Sequence, residues 1–256
     1  MKKIPLPSEL CYLFGMLVVA VGTAFMEHAG FGLAPIVAPA FVLHDALLPI
    51  LPWFSFGIAT YVVQGILLIV LALILRRFNL YFLFSFLSGF LLGTLLDLSD
   101  LVLAHLCEGE SGLWLFAHTT DARLCLLMLG ILLYSMGVSL LIHSYFAPEV
   151  YELFVDEISL HSKWSFPVVK ILYDWGSVIV AVLVSFIVMG KVDLHAVGSG
   201  TLLFALLDGV LIGTFSNLHN RIFRTVDLFP LRHFFHRDEA LEEAKEGAEE
   251  KKEINH

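Results

Sequence analysis

The chain alternates long apolar runs with short polar interruptions. Runs nearly free of charge extend from Leu10 to Phe25, Phe56 to Leu75, Leu80 to Leu96, Leu124 to Ile142, Ile171 to Met189 and Ala196 to Leu218; the last two each hold one acid, Asp174 and Asp208. A helix needs about 20 apolar residues to cross the hydrocarbon core of a bilayer. The pattern therefore predicts six transmembrane helices over residues 10–28, 55–76, 80–104, 122–143, 165–189 and 196–217. Two further segments are too broken or too polar to cross. AGFGLAPIVAPAFVLHD, residues 29–45, is interrupted by Gly30, Gly32, Pro35 and Pro39. APEVYELFVDEISLHS, residues 147–162, sets Tyr151, Phe154, Val155 and Ile158 at helical spacing, with Glu149, Glu152, Asp156 and Ser159 on the other face. Each is either a re-entrant element buried by protein or an amphipathic helix on the membrane surface.

The chain also repeats itself. GFLLGTLLDLSD (89–100) and GVLIGTFSNLHN (209–220) share Gly-x-Leu-x-Gly-Thr, and Asp97 and Asp100 of the first match Asn217 and Asn220 of the second. Other matches keep the same order: Phe14-Gly15 with Leu129-Gly130, Gly22 with Gly137, His28 with His143, Pro35 with Pro148, Leu43-His44 with Leu160-His161, and Ser55-Phe56 with Ser165-Phe166. The offset drifts between 110 and 120, but the order never breaks. The expected fold is all-α and membrane-embedded: six spans as two copies of three, each with a short broken or amphipathic segment between its first two spans. An odd number of spans inserts the second copy upside down, which makes an inverted-topology repeat; secondary transporters of this kind bind substrate near the midplane between repeats. The organisation is an N-terminus (1–9), a first repeat (10–104), a polar loop (105–121), a second repeat (122–220) and a charged tail (221–256).

Charge orients the spans. Lys2 and Lys3, Arg76 and Arg77, and Arg221, Arg224, Arg232 and Arg237 fall on one side if there are six spans, and residues 29–54 on the other side carry no Lys or Arg. The positive-inside rule puts both termini in the cytoplasm. The acidic loop at 144–164 is an exception that the rule tolerates, because acids weigh little in it. Apolar residues form 58% of the chain and charged residues 15%, against roughly 25% in soluble domains. The net charge of −9 is no nucleic-acid footprint, since eight acids lie between Arg237 and His256. That tail is too polar to bury a core of its own. The basic start followed by an apolar run resembles a signal peptide, but the run has a counterpart at 122–143 and is read as a retained helix. Cys107 and Cys125 flank the polar loop, and their spacing leaves both a disulfide and free thiols open.

Three stretches carry a family likeness: GFGLAPIVAPAFVLH (30–44), SFGIATYVVQGILLIV (55–70) and VGSGTLLFALLDGVLIG (197–213). They resemble the YczE/YitT-type bacterial membrane proteins, in which a Gly-x-Gly-x-x-Pro turn follows the first helix and a Gly-x-Gly-Thr helix closes the unit. The likeness spans about residues 8–223 and departs from the pattern at Ala34-Pro35-Ile36. It implies a bacterial inner-membrane location and a helical fold, with no established substrate.

Charged groups inside a membrane are costly and mark functional sites. Asp208, mid-span, is the foremost candidate for a substrate or coupling-ion site. Asp174, one turn from Lys170, Gln64 at the matching place in the first copy, Asp97, and Gly32 and Pro35 of the broken turn complete the expected set. Gly89-x₃-Gly93 and Gly209-x₃-Gly213 are expected to pack the copies against each other or against a second subunit. His28, His143, His44 and His161 lack metal-ligand spacing, so no metal is expected. No Walker A, His-Glu-x-x-His or Gly-x-Ser-x-Gly sequence occurs, and neither an enzyme nor a cofactor is expected. The leading expectation is a secondary transporter of an unknown small solute. The alternative is a membrane scaffold that docks a partner through its tail. The bilayer is the implied partner, nucleic acid is not, and a homodimer stays open.

Overall fold

The computed structural model describes residues 3–76, 78, 80–107, 119–162, 164 and 166–228. Most of the polar loop, the tail beyond residue 228 and the Cys107 side chain lie outside that description. Among the described residues are eight helices: α1 (Ser8–Ala29), α2 (Ala38–Leu47), α3 (Phe56–Leu75), α4 (Leu80–Cys107), α5 (Thr120–Ile142), α6 (Val150–Ser162), α7 (Phe166–Met189) and α8 (Ser199–Ile222). Six of them, all but α2 and α6, are long and apolar enough to cross a membrane. The chain is a multi-pass membrane protein. Its outward surface carries large apolar side chains such as Ile69, Leu73, Leu87, Ile187, Leu206 and Val210, which suits lipid and not water.

Local chemistry sets the helix ends. Ser55 caps α3, its Oγ accepting from Ile58 N at 3.2 Å. Pro39 sits in the first turn of α2, where its missing N–H leaves no gap in the ladder. Gly30 closes α1 in the left-handed region (φ 67°), its N–H reaching the carbonyls of Met26 and Glu27. One pairing was not legible in the sequence. Strands β1 (Ile4–Pro7) and β2 (Phe223–Val226) pair in parallel, Ile4 opposite Phe223, and tie the N-terminal segment to the end of α8. Proline at positions 5 and 7 suits such an edge.

Helices α1 and α5 form the centre. They cross antiparallel at two points, Gly15 against Gly137 and Gly22 against Gly130. A Cβ on Gly22 would lie 2.6 Å from Tyr134 N, and one on Gly137 would lie 2.8 Å from Gly15 O. Without an aqueous drive between helices in lipid, such close backbone approach is what holds them together. These four glycines, not the pairs expected from sequence, join the two halves. Gly89 and Gly93 instead pack α4 on α3, within the first half, and Gly209 and Gly213 would meet nothing within 4 Å.

Around the centre, α1 packs on α4 and α5 on α8; α2 packs on α3 and α7, and α6 on α7 and α3. The short helices lie alongside the long ones. Ile36, Pro39 and Leu43 from α2 and the turn before it share an apolar groove of about 460 Å³ with Val63 and Leu67 of α3, Phe154 of α6, and Tyr173 and Val180 of α7. Val63 and Leu67 stand about 10 and 16 Å from the start of α3 at 1.5 Å per residue. The short helices therefore reach the middle of the long ones.

Candidate functional site

Helix α7 turns Lys170 and Asp174 to one face, one turn apart. The Lys170 ammonium lies 3.4 Å from Asp174 Oδ1 and 3.4 Å from Glu152 Oε1 of α6. All three side chains are largely buried. Asp208 of α8 is 2% exposed. Ser135 Oγ of α5 donates to its Oδ1 at 3.4 Å, and the carboxyl is within electrostatic reach of Lys170, Asp174 and Glu152. Four helices thus contribute to one charged interior. An ion pair held away from water is costly unless its geometry is completed by further partners. Within a span such a pair is a candidate for function.

Glu149 stands one residue before α6 and is buried. Loss of hydration, and then the Glu152 carboxylate beside it, push its pKa up to about 8, against a smaller pull from Lys170. Two neutral polar groups adjoin. Gln64 of α3 is 0% exposed, and neither its amide oxygen nor its nitrogen has a hydrogen-bond partner. Tyr151 of α6 is as deeply buried, its hydroxyl close to Gln64 and without a well-formed bond. Unpaired polar atoms in an apolar interior cost several kcal/mol by transfer, of order 2–7 each. A bound polar group or water at this point would relieve that cost.

The remaining expected residues lie elsewhere. Asp97 of α4 caps the N-terminus of α3, accepting from Ser55 Oγ at 2.6 Å and Gly57 N at 2.7 Å. Gly32 (φ 106°) packs against Thr201 and Gly198 at the start of α8, in a turn braced by Gly200 N to Phe31 O at 2.7 Å and Leu33 N to Ala196 O at 3.2 Å. A side chain at Gly32 would be strained in its backbone as well as blocked. Pro35 is buried in the turn before α2. Sequence reasoning placed Glu152 and Glu149 on the polar face of an amphipathic helix and did not join them to Lys170. The available signal was the coincidence of acids in one short segment with a Lys in the next span beside Asp174.

A second polar cluster gathers where α1, α2, α4 and the α7–α8 connection meet. His28 Nδ1 lies 3.7 Å from Asp100, His44 Nδ1 donates to Phe54 O at 2.8 Å, and Asp193 Oδ1 accepts from His195 N at 2.9 Å. Burial and the nearby Asp193 raise the Asp45 carboxyl above its usual range. Among the described residues, no three His, Cys, Asp or Glu converge closely enough to hold a metal ion.

No curated protein and no solved structure matches the chain. A family profile described as "Family of unknown function (DUF6198)" matches residues 6–217, most of the chain, and the protein belongs to that family.

Proposed function

We propose that the protein is a secondary transporter of a small solute across a bacterial inner membrane, built as two inverted repeats with its site at their junction. The observation that carries this reading is the interior network of Lys170, Glu152, Asp174 and Asp208. Charged groups inside the membrane serve a protein best as binding or coupling groups. Four carboxyls, Glu149 included, stand around one ammonium, which favours a cation or a proton over an anion.

The packing supports the repeat. Exchanging α1 with α5, α2 with α6, α3 with α7 and α4 with α8 maps the contact of α1 with α4 onto that of α5 with α8. It maps α2 with α7 onto α6 with α3. Gly15 meets Gly137, while their counterparts Gly130 and Gly22 meet each other, as a two-fold axis requires. His28 donates back to Ala24 O and faces Asp100. Its counterpart His143 donates back to Ser139 O and reaches Asn220, the residue that matches Asp100. Because α1 and α5 run antiparallel, such an axis lies in the membrane plane. In this setting α2 and α6 are re-entrant, and the positive-inside rule keeps both termini cytoplasmic. The YczE/YitT-type likeness supports the choice of membrane.

The test is a panel of solutes screened for thermal stabilisation of the purified protein in detergent, repeated with Asp208→Asn. A ligand that stabilises the native protein and not the variant supports the site. Unchanged uptake of that solute by Asp208→Asn, with an unchanged pH profile, would remove the coupling role.

A further inference from the structure

The two halves share most of their helix contacts; α4 also packs on α6 where α8 and α2 barely meet, and the largest difference lies between the pairs α3–α4 and α7–α8. In the first half, α4 lies tight on α3. Gly89 makes room for the Gln64 amide, Gly93 for the Tyr61 ring and the Gly57 carbonyl, and Asp97 takes the hydrogen bonds of Ser55 and Gly57. The repeat register puts Gly209, Gly213 and Asn217 of α8 at the places of Gly89, Gly93 and Asp97, and Ile171 and Asp174 of α7 at those of Tyr61 and Gln64. Among the described residues, nothing packs on that face of α8. A Cβ on Gly209 or Gly213 would meet nothing within 4 Å, Asn217 is exposed, Ile171 is 55% exposed, and α7 touches α8 only sparsely. Two glycines and an amide turned to lipid form a packing face without its partner.

We propose that the α3–α4 and α7–α8 contacts are alternatives. The structure holds the state in which the first is closed and the second parted. In the other state α8 closes on α7 through Gly209, Gly213 and Asn217, while α4 releases α3. This rests on the inverted-repeat transporter reading above. Helices α3 and α4 are joined at one end and latched near the other by Asp97; α7 and α8 are joined at the opposite face of the membrane. Exchanging which pair is closed therefore exchanges which side of the protein opens, the requirement of alternating access. The parting helices are also those that carry Lys170, Asp174 and Asp208.

The latches differ in strength. Asp97 is a charged acceptor with two donors. The second half has an uncharged Asn217, with Ser165 and Pro167 at the places of Ser55 and Gly57. Proline has no N–H to give, and a bond to a neutral amide is about half as strong as one to a carboxylate. The closed first half is thus the resting state.

The experiment uses the full chain with Cys11, Cys107 and Cys125 replaced by alanine, carrying either Tyr61→Cys/Gly93→Cys or Ile171→Cys/Gly213→Cys. A disulfide forms only where Cα atoms come within about 7 Å. Mild oxidation is read as a gel shift with the bridged peptides identified by mass. The first pair should bridge readily and also reports that the chain is folded. The second should bridge slowly, with a yield that rises when Asp97→Asn is added while that of the first pair falls. A second pair that never bridges, with or without Asp97→Asn, overturns the proposal. So does a bridge formed between chains, which would give the face to a second copy. Solute uptake is scored separately. The expected bridging in a protein that moves no solute removes transport alone, and uptake with no α7–α8 bridge removes the alternation alone.

Discussion

Replacing Gly22 by alanine tests what holds the two halves together. The new methyl would lie 2.6 Å from Tyr134 N and 2.9 Å from Gly130 O. Both obstacles are backbone, so no rotamer change relieves them, and α1 and α5 must move apart. Overpacking of this kind costs typically about 1–3 kcal/mol. Alanine returns about 0.5–1 kcal/mol in a helix interior by limiting the unfolded chain. The net expected loss is up to about 2.5 kcal/mol, or up to about 10 °C in midpoint for a chain of this size. Gly209→Ala is the control: its methyl meets nothing, so the same propensity gain should leave stability unchanged or slightly raised. Thermal unfolding in detergent at one fixed scan rate compares the two, since unfolding of membrane proteins is commonly irreversible. If Gly22→Ala melts with Gly209→Ala and not well below it, the glycine crossings are not what binds α1 to α5.

Three further outcomes follow from the interior and the α3 cap. Lys170→Met leaves Glu152 and Asp174 facing each other with no cation and should cost about 3–5 kcal/mol, read as a lowered midpoint; adding Glu152→Gln should recover part of it. Asp97→Ala removes two bonds to a charged acceptor, each worth about 1.5–3 kcal/mol, and should lower the midpoint and loosen the start of α3 in hydrogen exchange. Glu149 should make stability pH-dependent. Its folded pKa of about 8 lies above the ordinary value of 4.5, so the native state holds the proton more tightly than the unfolded chain. Its contribution is complete below pH 4.5 and is lost as pH rises through 8. Glu149→Gln should therefore flatten the midpoint-against-pH curve in that window, and an unchanged slope would show the carboxyl to be hydrated.

The spans were legible because length and hydropathy are enough to define them. The two short helices were legible because Gly, Pro and acids interrupt apolar runs at matching places. What could not be read was which faces meet. Gly15, Gly22, Gly89 and Gly209 look alike in sequence; only packing separates a backbone crossing from a seat for Gln64 or an open face. Asp97 and Asp208 both read as candidate site acids, Asp208 the foremost. One accepts from Ser55 and the Gly57 N–H at the start of α3, and the other accepts from Ser135 and lies within the field of Lys170. Glu152 was hidden by its own pattern. On an amphipathic helix, alternation predicts a solvated acidic face, and the prediction fails where a neighbouring span offers a buried lysine.

The charge count of the interior constrains how a solute would bind. Glu149, Glu152, Asp174 and Asp208 share one cation, Lys170. Fully ionised, that set would hold a surplus of negative charge in a medium that screens it poorly, so protons must make up much of the difference when the site is empty. Glu149, with a pKa of about 8, already holds its proton through most of the neutral range. A cationic solute entering the network would take over that neutralising role and release a proton, so its affinity should fall as pH falls, by up to about tenfold per pH unit for each proton exchanged, or about 1.4 kcal/mol. A neutral solute would show no such slope. An anionic one would show the reverse, binding more tightly at low pH. Measuring affinity between pH 6 and 9 for any solute that stabilises the protein therefore reports the sign of its charge at the site. A reversed slope, steepest in the native protein and absent in Asp208→Asn, would refute the cation reading while keeping the site.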